Sequence, residues 1–233
     1  MDLASDGAHI AALQREGGVP TGEGDTLKIY DVRARKEVRS VSGTQAGGAF
    51  SPDGRYFLTT DGTLLDLKTG TDRKESTFSG GVRHVAYSPD GRLVAAFRET
   101  GLVELWNGQV TQRITTMSSS VSRGGGRGGQ DLGEFTFSPD GRLLAAVVDG
   151  DSVQLWDTDR HYALGDPLLL PGRGVEALAF DGDTLWAAAG TRARSVDLTP
   201  ARLAERVCRR AGRDLTPLEW STYLPGIPRR PLC

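Results

Sequence analysis

The pentapeptide Ser-Pro-Asp-Gly-Arg occurs three times without change, at residues 51–55, 88–92 and 138–142. Each copy follows a short apolar or aromatic run (Ala49-Phe50, Val85-Ala86-Tyr87, Phe135-Thr136-Phe137) and precedes another (Tyr56-Phe57-Leu58, Leu93 to Ala96, Leu143 to Val147). The pattern predicts strand, turn, strand. Serine at the first turn position can accept backbone hydrogen bonds, proline at the second presets φ, and glycine at the fourth tolerates positive φ. A type I hairpin turn closed by a glycine bulge satisfies all three. A repeated turn implies a repeated structural unit, and it carries no reaction chemistry of its own.

Each hairpin leads into a segment that ends in an aromatic or aliphatic residue and a turn-prone Asp or Asn. These endings are Tyr30-Asp31, Leu65-Asp66, Trp106-Asn107, Trp156-Asp157 and Val196-Asp197, at spacings of 35, 41, 50 and 40 residues. A period of about 40–45 residues with four strands per unit is that of a β-propeller blade. The Trp endings Val103 to Asn107 and Val153 to Asp157, together with the turns, resemble the WD-repeat family over roughly residues 1–198. The resemblance implies an all-β propeller of about five four-stranded blade units, at about 1–41, 46–78, 82–115, 133–170 and 174–198. Members of that family usually close with seven blades, and closure is what hides a propeller's edges. Five units therefore imply an incomplete ring and the C-terminal part of a larger propeller. The family's Asp-His-Ser/Thr-Trp hydrogen-bond network is incomplete here, so rigidity is expected from packing.

After Leu198 the pattern changes. Thr199-Pro200 reads as a helix start, with Leu203, Val207, Cys208 and Ala211 on one face and Gly212 as the stop. Thr216-Pro217 starts a short second helix, on which Trp220 and Tyr223 are expected to pin the tail to the propeller. The tail, residues 199–233, resembles the C-terminal segment of actinobacterial WD-repeat proteins through Cys208, Ala211, Gly212, Arg213, Leu215, Thr216, Glu219, Trp220, Tyr223, Leu224, Pro225, Gly226, Pro228 and Cys233. Many such proteins carry upstream signalling modules such as NTPase or kinase domains, which implies a larger bacterial signalling protein.

Charge separates the same two regions. Lys+Arg 28 nearly balances Asp+Glu 30, so there is no global attraction to nucleic acid or anionic membrane. Residues 192–233 nevertheless hold nine Arg against four acidic residues, and the remainder is correspondingly acidic. The basic stretch reads first as a solvated helix face. Two cysteines exclude a disulfide-rich scaffold and suggest a reducing compartment; Cys208 and Cys233 can pair only if the last turn folds back on the helix. With no apolar run of membrane-spanning length and no charged-then-apolar start, a soluble, cytoplasmic protein is expected.

Candidate chemistry is sparse. His9, His84 and His161 sit in different blades without ligand spacing, so no metal is expected. The run Gly124 to Gly129 lacks the Gly-Lys-Ser/Thr ending of a phosphate loop, and its two arginines lack the interleaved aromatics of an RNA binder. The acid pairs Asp149/Asp151 and Asp181/Asp183 fall at expected hairpin turns. No catalytic motif or cofactor fingerprint appears, so no enzyme and no cofactor are expected. Two connections exceed what a propeller needs, Gln14 to Asp25 and Met117 to Asp131, and in the resembled family both types emerge opposite the Ser-Pro-Asp-Gly turns. That end is the candidate partner surface, with Arg15, Glu16, Arg123, Arg127 and Gln130 as contact residues. The expected function is a non-enzymatic protein–protein interaction scaffold or sensor. The alternatives are a Tol-type propeller accessory to a hydrolytic or periplasmic system, and a truncated, non-functional remnant.

Overall fold

The computed structural model describes residues 2–4, 7–14, 26–42, 47–74, 78, 81–98, 100–118, 135–148, 152–169, 174–223, 228–231 and 233. These residues form five antiparallel sheets in chain order, followed by two helices. The first sheet is β1 (Asp2–Leu3), β2 (His9–Gln14), β3 (Thr26–Asp31) and β4 (Lys36–Ser42). The second is β5 (Gly48–Phe50), β6 (Tyr56–Thr59), β7 (Thr63–Asp66) and β8 (Asp72–Lys74). The third is β9 (Val82–Tyr87), β10 (Leu93–Arg98), β11 (Leu102–Asn107) and β12 (Arg113–Ser118). The fourth is β13 (Phe135–Phe137), β14 (Leu143–Val147), β15 (Ser152–Asp157), β16 (Tyr162–Ala163) and β17 (Leu168–Leu169); the fifth is β18 (Ala177–Asp181), β19 (Thr184–Ala189) and β20 (Arg192–Asp197).

The first strands of successive sheets lie beside one another, β1 by β5, β5 by β9, β9 by β13 and β13 by β18. They form a hub from which the sheets radiate as blades, which makes the fold a β-propeller. Among the described residues no packing of comparable extent joins β18 to β1, so the five sheets form an arc.

Side chains alternate faces along a strand, so a blade between two neighbours must be apolar on both faces. In β14, Leu144 and Ala146 pack against the third sheet, where Phe97, Leu105 and Met117 meet them. Ala145 and Val147, one residue out of phase, pack with Val153 and Leu155 against Leu178, Leu185 and Ala187 of the fifth sheet. Similar clusters join the second sheet to the third (Leu58, Leu64 and Phe78 with Val94, Ala96 and Trp106) and the first to the second (Ala11, Leu27 and Ile29 with Phe50, Phe57 and Leu65). The core is thus four slabs between five blades.

The last two blades depart from four strands. In the fourth, Leu164-Gly165-Asp166-Pro167 interrupts the outer edge, and both β16 and β17 pair with β15. The fifth stops at three strands because the chain enters α1 (Pro200–Ala211) where an outer strand would begin.

Leu203 of α1 packs against the slab between the last two blades, and Gly212, at φ 66°, ends the helix by donating its N–H to the Cys208 carbonyl. Two expectations fail here. The Thr199 hydroxyl makes no capping bond, and the apolar spacing of α1 gives no buried stripe: Leu203 is half-buried, Val207 is 63% exposed and no residue of the helix is buried. In α2 (Pro217–Tyr223) the capping is reciprocal: Glu219 accepts from Thr216 N at 2.8 Å, and Thr216 Oγ1 accepts from Glu219 N at 3.3 Å. Trp220 is buried; the Tyr223 side chain lies outside the described residues. The chain end does fold back, and Cys208 and Cys233 form a disulfide, the pairing that the sequence left open on that condition. Among the described residues no helix is long and apolar enough to cross a membrane.

Trp156 is fully buried and donates its indole N–H to the Ser118 carbonyl at 3.2 Å, whereas Trp186 on β19 is 43% exposed. Trp156→Ala should cost about 3–5 kcal/mol of unfolding free energy, and Trp186→Ala under about 1, as read from chemical denaturation followed by far-UV circular dichroism.

Candidate functional site

The two ends of the arc are built differently. At one end the three Ser-Pro-Asp-Gly-Arg turns share one geometry. In each, the serine Oγ accepts from the backbone N–H five residues on, at 2.9 Å (Tyr56, Leu93, Leu143). The same hydroxyl donates to the aspartate two residues on, at 2.5, 2.7 and 2.6 Å, and that carboxylate accepts the arginine N–H. The glycine N–H donates to the serine carbonyl, with glycine φ at 67, 70 and 72°. A single buried serine therefore organises each turn.

Neighbouring turns also touch. A Cβ added at Gly91 would lie 3.5 Å from Pro52 Cδ, and one at Gly141 would lie 3.7 Å from Ser88 Cβ. Between the third and fourth blades this end opens a cleft of about 220 Å³, walled by Asp90, Arg92, Asp140, Arg142 and Asp159. Its charges are engaged within the wall: Arg92 holds Asp90 at 2.5 Å and Arg142 lies 3.5 Å from Asp159. The Ser88 hydroxyl and the Arg92 amide pull the Asp90 carboxyl down to about 2. A carboxylate held so low stays ionised at neutral pH and is a poor general base.

At the opposite end the strand registers place the anchors of both long connections. Gln14 pairs with Thr26 and Leu102 with Ser118, each at the end of its sheet remote from the turns. The five expected contact residues, Arg15, Glu16, Arg123, Arg127 and Gln130, lie outside the described residues, as do Gly124 to Gly129 and the Asp149/Asp151 pair. Asp181 and Asp183 flank Gly182, φ 55°, in the β18–β19 hairpin, a turn role as expected.

The most heavily engaged carboxylate is one that sequence reasoning passed over. Glu104 on β11 is buried and meets Arg98 Nε at 2.9 Å, Arg113 Nη1 at 3.1 Å and Trp106 Nε1 at 3.2 Å. Burial would raise its carboxyl, but the two guanidinium groups and the indole outweigh burial and hold it below the usual carboxylate range. The register puts Gln154 at the corresponding position of the fourth blade, opposite Ala146 as Glu104 is opposite Ala96, and it donates to the Leu155 and Gly165 carbonyls. A polar residue two before the blade tryptophan was the available signal. Among the described residues no cluster of three or more His, Cys, Asp or Glu is placed to hold a metal.

Comparison with known proteins follows the same lines. The description "WD domain, G-beta repeat" matches residues 73–107, which run from β8 through β11, so the matched repeat takes an outer strand from one blade and three strands from the next. No curated protein matches the chain. Solved structures matching it number 1340 chains, too broad a set to select a function. One is hydrazine synthase of Kuenenia stuttgartiensis, at 17% identity and a TM-score of 0.62, covering 80% of this chain and 53% of that one. The chain thus spans about half the length of that protein, and the likeness is one of fold. Together the repeat match and the neighbour support a WD-repeat β-propeller.

Several exposed carboxylates give the fold a definite acid response. Arg55 draws Asp66 down to about 2, and Arg213 does the same for Glu219, at 2.7 Å through both guanidinium nitrogens. With Asp90 these groups have folded values below the roughly 4 of an unfolded chain. Their stabilisation is complete above about pH 5 and disappears as pH falls through about 4 toward 2. The melting temperature should drop across that window, and an Asp66→Asn/Asp90→Asn variant should melt lower at neutral pH with a flatter acid limb in calorimetry.

Proposed function

We propose that the chain is a non-enzymatic protein-interaction scaffold or sensor module that works through the end of the arc bearing its long connections, as the C-terminal part of a larger bacterial signalling protein. A WD-repeat propeller is a protein-interaction module, and that much the repeat match supports. The observation that carries the choice of surface is the shared placement of both long-connection anchors, Gln14/Thr26 and Ser118, at one end of a tightly packed frame. Loops held by a rigid scaffold are where binding residues concentrate. At the turn end, by contrast, the carboxylates are consumed by their own serines, amides and arginines. In this reading Arg15, Glu16, Arg123, Arg127 and Gln130 supply the contacts, protein is the partner class, and neither nucleic acid nor a membrane is engaged.

The test is capture of a partner from the native host with the full-length gene product, before and after replacing residues 119–131 with a short Gly-Ser linker. Ser118 is retained because its carbonyl accepts the Trp156 indole N–H. Loss of the captured protein with an unchanged melting temperature supports the reading. Undiminished capture, or turnover of a small substrate by the purified protein, overturns it.

One observation favours a second reading, a Tol-type propeller acting in the periplasm. Disulfides persist in oxidising compartments, and Cys208 is bonded to Cys233. In the cytoplasmic reading the pair is held mainly as thiols. Trapping thiols in intact cells with an alkylating agent, followed by mass analysis, separates the two: two adducts per chain favour the cytoplasm, none the periplasm.

A further inference from the structure

We propose that the Cys208–Cys233 bond is a redox-operated clasp: formed, it holds α2 docked with Trp220 buried, and reduced, it releases the segment that follows α1. The proposal is independent of the loop surface chosen above, and it concerns what the bond does to the fold, whichever state the cell maintains.

The bond ties the end of the tail to α1 across a sequence separation of 25. The other contacts of the tail turn inward. Arg213 and Glu219 pair through both guanidinium nitrogens, Thr216 and Glu219 cap each other, and Arg229 donates to the Leu215 carbonyl at 3.3 Å. These contacts shape the segment without fastening it to a blade. Among the described residues α2 packs extensively on no strand and not on α1, and Trp220 is the one buried side chain that residues 213–233 contribute.

A helix of seven residues is too short to persist in water by itself. The Arg213–Glu219 bridge is exposed and contributes modestly. One buried tryptophan is therefore set against the conformational entropy of ordering the whole segment. Closing a loop of this length removes much of that entropy from the released form, favouring docking by on the order of a hundredfold. Reduction restores the entropy, so the state of the bond decides which form prevails.

The bond is also placed to be reached. Cys208 is half-buried on α1, and Val207, Arg209, Arg210 and Ala211 beside it are exposed. Exposed disulfides are the labile, regulatory ones, whereas structural disulfides resist reduction by small thiols. A glutathione thiolate attacks one sulfur, forming a mixed disulfide with that cysteine and expelling the other as a thiolate. A second glutathione thiolate then attacks the glutathione sulfur of the mixed disulfide and frees the first cysteine. The cysteine pair gains two electrons and two protons, and the two glutathiones leave as their disulfide. Oxidised glutathione runs the same steps in reverse.

The test equilibrates the purified 233-residue chain at varied ratios of reduced to oxidised glutathione, counts free thiols by alkylation and mass, and follows amide hydrogen exchange by mass spectrometry. The bond should open and re-form reversibly across the series. On opening, the amides of Trp220 to Thr222 should exchange about tenfold faster or more, while those of β14 and β15 keep their rates. Cys233→Ser, at an exposed position, should show the fast exchange at every ratio. A bond that the native chain keeps under excess reduced glutathione overturns the proposal. So does slow exchange at Trp220 to Thr222 in the reduced chain or in the variant, or a rise that spreads through β14 and β15, the mark of a structural staple.

Discussion

Packing of one blade's following face on the next blade's preceding face is the interaction on which everything else in this molecule depends. The middle strands of the second, third and fourth blades are buried on both faces, so these sheets depend on a neighbour on either side. A buried Leu, Val or Phe contributes roughly 1.5–3 kcal/mol when removed from water, and every slab contains several. Hydrogen bonding plays the smaller part of fixing orientation. Trp156 is aimed by a backbone carbonyl of the preceding blade, and Trp106 by a buried glutamate that two arginines keep ionised. Removing the glutamate would cost the mostly buried Arg98 its 2.9 Å ion pair, whereas the half-exposed Arg113 can turn to water.

The repeating turns serve this packing. Their serine, aspartate and glycine close each hairpin internally, and their prolines and glycines bring successive turns into contact at the blade boundaries. What looks in the sequence like punctuation also lies at the edge of the slabs between the second and third and the third and fourth blades. Because the turn carboxylates satisfy one another's donors, the most conspicuous residues of the chain have the least capacity left for a ligand.

Legibility followed the range of the forces involved. Turns, strand alternation and the α1 stop were readable because each depends on residues a few positions apart, as Gly212 and the Ser51 to Tyr56 bonds show. The arc was readable as a count of units, since a period survives degeneracy at either end. Glu104 was not, because its identity as a buried ion depends on Arg98 and Arg113 arriving from the two flanking strands. Val207 has the spacing of a buried position but lies where α1 has no propeller beneath it. The Cys208–Cys233 bond depends on a chain reversal through α2 that spacing alone left open. At the candidate partner surface the sequence located the two long connections, and register then placed their anchors at one end. The contact residues themselves lie outside the described residues.

A shared fold and a shared function separate here for a physical reason. The residues that make a propeller are those that fill slabs and close turns, and the fold persists in a protein only 17% identical over 80% of this chain. Binding by propellers in general draws on connecting loops, which a rigid frame leaves free to vary in length and charge. Glu104 and Gln154 illustrate the division from the inside: one position, two chemistries, the same strand, because each finds donors or acceptors within its own blade. The frame tolerates such exchanges wherever the slab on either side stays apolar. That condition is met at the four boundaries, whose slabs are filled by Leu, Val, Ala and aromatic side chains, and the slabs stay apolar on both sides of a polar exception such as Glu104 or Gln154.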